Sequence, residues 1–438
     1  MDFRGKKAAV LDTIHGGRTI CKKLREFGAD AVAINIYEGV SAPHPIDLFD
    51  VVIAPVHAHT QLTARAEALG IPVLTHHQVV GQLARQTKAL QHALVFEVTG
   101  VTGKTTLASL LGIAFCDRKL LTLTSRGLEI CENGKCVAKK RLSITPASIL
   151  TALDLARDQD FDPDVCIFEV SLGGTGLADV NILTSLSPEY DIAQETKTST
   201  FAKLQMLANA KVNSCLVTST ETASRVEAGR CLNTFGDERA TVHYKDKNIK
   251  TDEVTVAYND LATTDGNRVS GELRFTPTGC YDLVSYQDAL LCFVGAALCS
   301  KLDPKVVTQR LAHFKGVTGR MVASTIERRV LIDNSNSGLE AASAKRAICY
   351  GFTLKKPGHK AVLIIGTEAK NVCNGIPPEA LATLAEDAAL DDVVVVGDQV
   401  HPSRRNVVRS NDLESALRAA LTLTKERDVI ISCVKMWR

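Results

Sequence analysis

The segment that most restricts this chain is Thr99-Gly100-Val101-Thr102-Gly103-Lys104-Thr105-Thr106. It lies between an apolar run, Ala93 to Val98, and a helical run, Leu107 to Cys116. Strand, glycine-rich turn and helix, in that order, are the frame a phosphate loop requires. Glycines let backbone N–H groups turn inward around phosphate oxygens. The helix N-terminus adds about half a positive charge. In such a loop Lys104 would reach the β and γ phosphates, and the Thr105 hydroxyl would ligate Mg²⁺. The spacing is compressed relative to GxxxxGK(S/T): the first glycine is Gly100, and position 98 is Val. A bare strand-to-helix turn would give no packing reason for a lysine and two threonines at the helix mouth.

Around this loop the 438 residues alternate strand and helix signals almost throughout, which predicts α/β units with parallel sheets. The first unit has strands near Ala8–Leu11, Ala31–Ile34 and Val51–Ala54, with helices near Arg18–Phe27, Gln61–Leu69 and 78–89. The second opens at residue 93 and contains the apolar strand Val165–Val170, which carries Glu169 near its end. A carboxylate at the carboxyl end of a strand beside a phosphate loop is well placed for Mg²⁺. The glycine-rich turn Ser171 to Gly176 follows it. Residues 235–280 are polar with alternating patches and read as antiparallel strands or an insertion. The third unit has strands near 330–333, 361–365, 393–396 and 429–431, separated by helical segments. We therefore expect three domains: 1–90 for substrate, 91–321 as a P-loop ATP-binding domain, and 322–438 as a Rossmann-like domain.

Composition excludes several classes. Lys and Arg number 51 against 49 Asp and Glu, so there is no basic excess of the kind a nucleic-acid binder carries. Aromatics are 5%, with Trp437 the single tryptophan, which disfavours stacking platforms for single strands. No apolar run approaches the ~20 residues of a membrane helix. The opening Met-Asp-Phe-Arg-Gly-Lys-Lys lacks the apolar core of a secretory signal. The expectation is a cytoplasmic protein whose 13 cysteines are reduced thiols. Cys131 and Cys136, in ICENGKC, lack two further ligands for zinc. They read instead as flanking a hairpin that turns at Asn133-Gly134.

A compressed TGxxGKTT loop heading the second of three α/β units resembles the Mur ligase superfamily, whose members activate a carboxylate as an acyl phosphate at the expense of ATP. Further segments match in order: Glu169-Val170-Ser171, Phe314-Lys315-Gly316-Val317-Thr318-Gly319-Arg320-Met321, and Asp333-Asn334-Ser335-Asn336-Ser337-Gly338-Leu339. The resemblance implies that Gly100 to Thr106, Arg320 and Asp333 bind the nucleotide, and that Thr105 and Glu169 hold Mg²⁺. It also implies that Lys203, in Phe201-Ala202-Lys203, matches a lysine carbamylated in several members, where the carbamate acts as another metal ligand. A plain lysine on a helix surface is the other reading of Lys203. Lys104, Glu169 and Lys203 are the catalytic candidates. Tyr190 stands where relatives carry a histidine that helps hold a metal.

The acceptor side departs from the common pattern. The loop Asp12-Thr13-Ile14-His15-Gly16-Gly17 follows the first strand, where α/β sheets bind ligands. It lacks GxGxxG, so a dinucleotide reductase has little support. Six of the 11 histidines fall in this first unit, including His57, His59, His76 and His77. With the run 169–176, the loop resembles the coenzyme F430 synthetase branch of the superfamily, from methanogenic archaea. That resemblance implies a tetrapyrrole substrate carrying its own nickel. It implies ATP and Mg²⁺, and ring closure in place of attack by an amine. His15, Gly16, Gly17 and Arg126 are the substrate candidates. Arg126, Lys140 and Arg141 would pair with peripheral carboxylates or form a solvated face. His15, Glu169 or the substrate itself would serve as base. The alternatives are an amide-forming ligase acting on a peptide, pseudomurein or folate-like acceptor, and a nucleotide-binding switch protein.

Overall fold

The computed structural model describes residues 1–37, 45–58, 61–226, 231–245, 253–368, 376–404 and 407–436. Of the residues singled out above, His59 and Trp437 lie outside them. Three main sheets organise the chain. Two compact units result: one is built from 1–248, 254–275 and 288–310, the other from 249–253, 276–287 and 311–438. The α/β class expected from the strand–helix alternation is the one observed.

The first unit holds two of these main sheets. Four parallel strands, in the order Asp30–Ala33, Lys7–Val10, Val51–Ala54, Val73–Thr75, form the smaller. Val51–Ala54 is fully buried, as an unbroken apolar run in a parallel sheet must be. The helix Gly17–Glu26 packs Ile20, Cys21 and Leu24 into a core shared with Ile149, Leu150 and Leu153 of the helix Ala147–Asp158. One core therefore joins the small sheet to the large one.

The larger sheet has eleven strands. Its centre is parallel, with Leu94–Thr99 between Val165–Glu169 and Val180–Leu183. Antiparallel strands extend both ends. On one side Val254–Ala262 pairs with Arg268–Phe275, as the alternating patches suggested. On the other, Gly127–Glu132 pairs with Lys135–Lys140. That hairpin turns at Asn133 and Gly134, both at positive φ (52° and 74°), as a two-residue loop between twisted strands demands.

The cysteines correct one expectation. Strand register sets Cys131 opposite Cys136 and Cys215 opposite Cys231, and each pair is disulfide-bonded. Spacing along the sequence gave no sign of the second pair, because Cys215 and Cys231 meet only through a parallel strand pairing.

The second unit carries a six-stranded sheet, in the order Val322–Ile326, Arg329–Asp333, Val429–Lys435, Ala361–Thr367, Asp392–Val396, Val407–Ser410. All pairings except the first are parallel. Val429–Lys435, buried along its whole length, is one of the two central strands.

Candidate active site

The phosphate-loop segment forms a loop between the strand Leu94–Thr99 and the helix Lys104–Ala114. Gly103 caps the helix in the left-handed region (φ 81°) without a side-chain hydrogen bond. Gly100 has φ 143°, and a Cβ there would lie 2.0 Å from Thr184 Oγ1; only glycine fits. Lys104 Nζ donates to the carbonyls of Gly100 (3.0 Å) and Val101 (3.2 Å). Its ammonium thus folds back over the loop's own concavity. Thr102 Oγ1 lies 3.3 Å from Ser185 Oγ, and Val101 N donates to Ser185 O. Thr184 and Ser185 therefore clamp the loop, a role their sequence context did not reveal.

Glu169 ends its strand 2% exposed. Its carboxylate accepts from Thr105 Oγ1 (2.9 and 3.1 Å) and from Ser125 N (2.9 Å). Threonine hydroxyl and glutamate oxygens converging beside a phosphate loop make a hard-oxygen donor set that suits Mg²⁺. Ser125, whose Oγ is 3.0 Å from Thr105 Oγ1, was not singled out by sequence. Its neighbour Arg126 is exposed and reaches Glu129 at 3.5 Å.

Lys203 stands on the helix Ser199–Asn209, which Thr198 caps by accepting from Phe201 N. It is 1% exposed, so the surface-lysine reading is wrong. Nζ donates to Tyr190 OH (3.1 Å) and lies 4.7 Å from the ring centroid. Burial, reinforced by the charge of Lys104, pushes the Lys203 ammonium down to about 7. The amine itself offers Mg²⁺ no oxygen; a carbamate would.

The loop after the first strand is built differently. Asp12 is fully buried and accepts from Ile14 N (2.8 Å), His15 N (2.9 Å) and Gly17 N (2.6 Å). Burial opposes its ionisation, but hydrogen bonds from His15, Ile14 and Gly17 outweigh it and hold the carboxyl well below its usual range. A protein carboxylate thus occupies the anion position that a Rossmann loop offers to a phosphate. A Cβ on Gly16 would lie 2.4 Å from Ala147 Cβ, and one on Gly17 2.2 Å from Asp12 O. His15 Nδ1 is 2.9 Å from Tyr37 OH, which is 3.4 Å from His57 Nε2. His77 Nε2 meets Ser171 O at 2.9 Å, and Gln205 Nε2 lies 3.4 Å from His77 Nδ1.

A small cleft is lined by His15, His57, His76, His77, Thr145 and Ser171. Buried Glu97 accepts from Thr175 N, Thr175 Oγ1 and Gly176 N. Tyr37 and Gln205 carry no motif, and only the folded chain brings them to the histidines.

Arg320 and Asp333 belong to the second unit. Asp333 accepts from Gly319 N (3.0 Å) and Ser335 N (3.2 Å). Tyr286 OH accepts from Val317 N (2.9 Å) and donates to Arg320 O. Asn336 donates to Gly319 O. The two matched segments, 314–321 and 333–339, therefore fold against each other.

Comparison with known proteins fits this arrangement. The family model described as the coenzyme F430 synthetase CfbE C-terminal domain matches residues 323–436. The coenzyme F(430) synthetase of Methanosarcina acetivorans is 33% identical, with 100% of both chains covered. The chain belongs to the coenzyme F(430) synthetase family. As a member it is an enzyme, an ATP-dependent ligase. Among solved structures, MurF from Acinetobacter baumannii aligns with a TM-score of 0.58 at 15% identity, covering 88% of each chain. E. coli FolC in complex with DHPP and ADP aligns with a TM-score of 0.58 at 16% identity, covering 83% of this chain and 90% of its own. This chain therefore shares the Mur ligase fold. Among the described residues, no helix is long and apolar enough to cross a membrane.

Proposed function

We propose that this chain closes a carbocyclic ring on a nickel tetrapyrrole, using ATP to activate a propionate side chain, and so forms coenzyme F430. The end-to-end likeness to the M. acetivorans synthetase carries this reading. The nickel travels inside the substrate, held by the macrocycle nitrogens.

A propionate oxygen attacks the γ phosphorus of ATP, the bond to the ADP oxygen breaks, and an acyl phosphate forms. Lys104, folded over the loop, supplies positive charge where the transferring phosphoryl group spreads its own. Thr105 and Glu169 would hold Mg²⁺, which when bound draws charge from the β and γ phosphates. Arg320 and Asp333, docked through Gly319, are assigned to the nucleotide. A carbon of the same macrocycle then attacks the acyl carbon and phosphate leaves. Both reactants sit on one molecule, so their effective molarity is high. His15, Gly16 and Gly17 are assigned to the tetrapyrrole, with Arg126 on its periphery. Use of ATP supports a cytoplasmic setting.

The test is ADP release with ATP, Mg²⁺ and the open-ring nickel tetrapyrrole acid, with no amine present. The expected result is one ADP per macrocycle and loss of one water from the macrocycle by mass spectrometry. Turnover that requires an amino acid would return the chain to the amide-forming ligases.

A further inference from the structure

Ring closure needs a proton acceptor for the carbon nucleophile, and three groups competed for that role in the sequence: His15, Glu169 and the substrate. The structure removes Glu169. Its carboxylate is buried and committed to Thr105 and Ser125. The histidine cleft remains, and it lies close to the phosphate chemistry. Ser171, in its wall, is two residues past Glu169, a chain span of at most ~7 Å. A macrocycle with one carboxylate at the phosphate loop would extend over this cleft.

Within the cleft the four imidazoles are not equivalent. His76 and His77 are buried, and both nitrogens of His77 face protein partners. Burial pushes His57 down to about 4, His76 to about 3 and His77 to about 4; all three are poor proton acceptors near neutrality. His76 Nε2 is buried without a hydrogen-bond partner, an unmet polar atom in the cleft wall of the kind that ligand sites retain. His15 differs. Its side chain is 41% exposed, and Nδ1 is held by Tyr37 OH at 2.9 Å, with Asp12 Oδ1 at 3.6 Å behind it. An imidazole anchored through one nitrogen by a hydroxyl and a carboxylate presents the other in a fixed direction.

We propose that His15 is the general base of ring closure, with Tyr37 and Asp12 as its positioning residues; this rests on the carbocyclic ligase reading above. The C–H bond of the nucleophile breaks and its proton goes to His15 Nε2. The freed electron pair forms the C–C bond to the acyl carbon. The acyl C–O bond breaks, and its pair leaves on inorganic phosphate.

Hydroxylamine, which traps acyl phosphates as hydroxamates, separates the two half-reactions. With ATP, Mg²⁺ and the open-ring nickel tetrapyrrole, His15→Asn is expected to shift the partition from ring closure to hydroxamate by about 100-fold or more relative to wild type. Tyr37→Phe is expected to shift the same partition by roughly tenfold, a change that a merely structural role would not produce. A His15→Asn enzyme that closes the ring within about fivefold of wild type overturns the inference. So does one that loses trapping and closure in the same proportion, since His15 would then only bind substrate. Wild-type enzyme that releases no ADP with this substrate, with or without hydroxylamine, would instead overturn the ligase reading itself, and the inference with it.

Discussion

Two strand–loop–helix turns in the first unit look alike and work in opposite ways. One runs from Thr99 to Lys104, the other from Asp12 to Gly17. Each ends on a glycine in the left-handed region that caps its helix without a side-chain bond, Gly103 and Gly16. In the second turn Asp12 supplies the anion and takes three backbone N–H groups. In the first turn the nearest carboxylate, Glu169, approaches the helix through Thr105, and Lys104 covers the loop. The lesson is that a phosphate-binding frame becomes a rigid support when the protein provides its own carboxylate. The Asp12 loop then serves to aim His15, and the Lys104 loop takes the nucleotide.

The largest effect should come from Lys104→Ala. Turnover is expected to fall on the order of 10³-fold, with little change in melting temperature, because the ammonium donates to carbonyls of its own loop. Steady-state ADP release beside a thermal melt checks both halves. Near-normal turnover would break the assignment of the first loop. Glu169→Gln comes next. It keeps the shape but removes the charge, so the Mg²⁺ concentration for half-maximal rate should rise by at least the roughly 10- to 100-fold that loss of a supporting partner costs a metal site. A Mg²⁺ titration reads this directly.

The glycine caps sharpen the contrast. Alanine at either position meets the left-handed cost of ~1–2 kcal/mol. At Gly103 the nearest atom to the new Cβ is Thr184 Cβ, 3.8 Å away; at Gly16 it is Ala147 Cβ at 2.4 Å. Gly16→Ala should therefore lose a further ~1–3 kcal/mol to overpacking. Denaturant unfolding without nucleotide measures the difference, and equal losses would mean that the Asp12 loop is not braced against the helix Ala147–Asp158.

Much of this was legible because it is local. The phosphate loop, Glu169 and the fully buried strands such as Val51–Ala54 announce themselves in contiguous residues, and the fold class followed from their alternation. The strands Cys215–Ser219 and Cys231–Gly236 did not. Their buried polar residues are satisfied across the sheet: Thr218 donates to Leu183 O, and Asn233 exchanges two hydrogen bonds with Ala262. A hydropathy pattern treats such residues as breaks. Tyr37, Ser125 and Gln205 were missed for a related reason: each earns its place through a partner 20 to 128 residues away.

Asp12→Asn gives the smallest expected effect and the most direct test of the self-supplied anion. The amide keeps one acceptor oxygen and turns a donor toward a backbone N–H, leaving a buried group unmet at a cost of about 1–3 kcal/mol. The pH dependence fixes the cause. The folded-state carboxyl is held below its usual range, so the stability it contributes is fully present above the unfolded value of about 3.9 and is lost as pH falls through the folded one. The gap in melting temperature between wild type and Asp12→Asn should stay constant from pH 7 to about 5 and close below about pH 4. A gap that persists undiminished into acid would mean that packing around residue 12, rather than its charge, holds the loop.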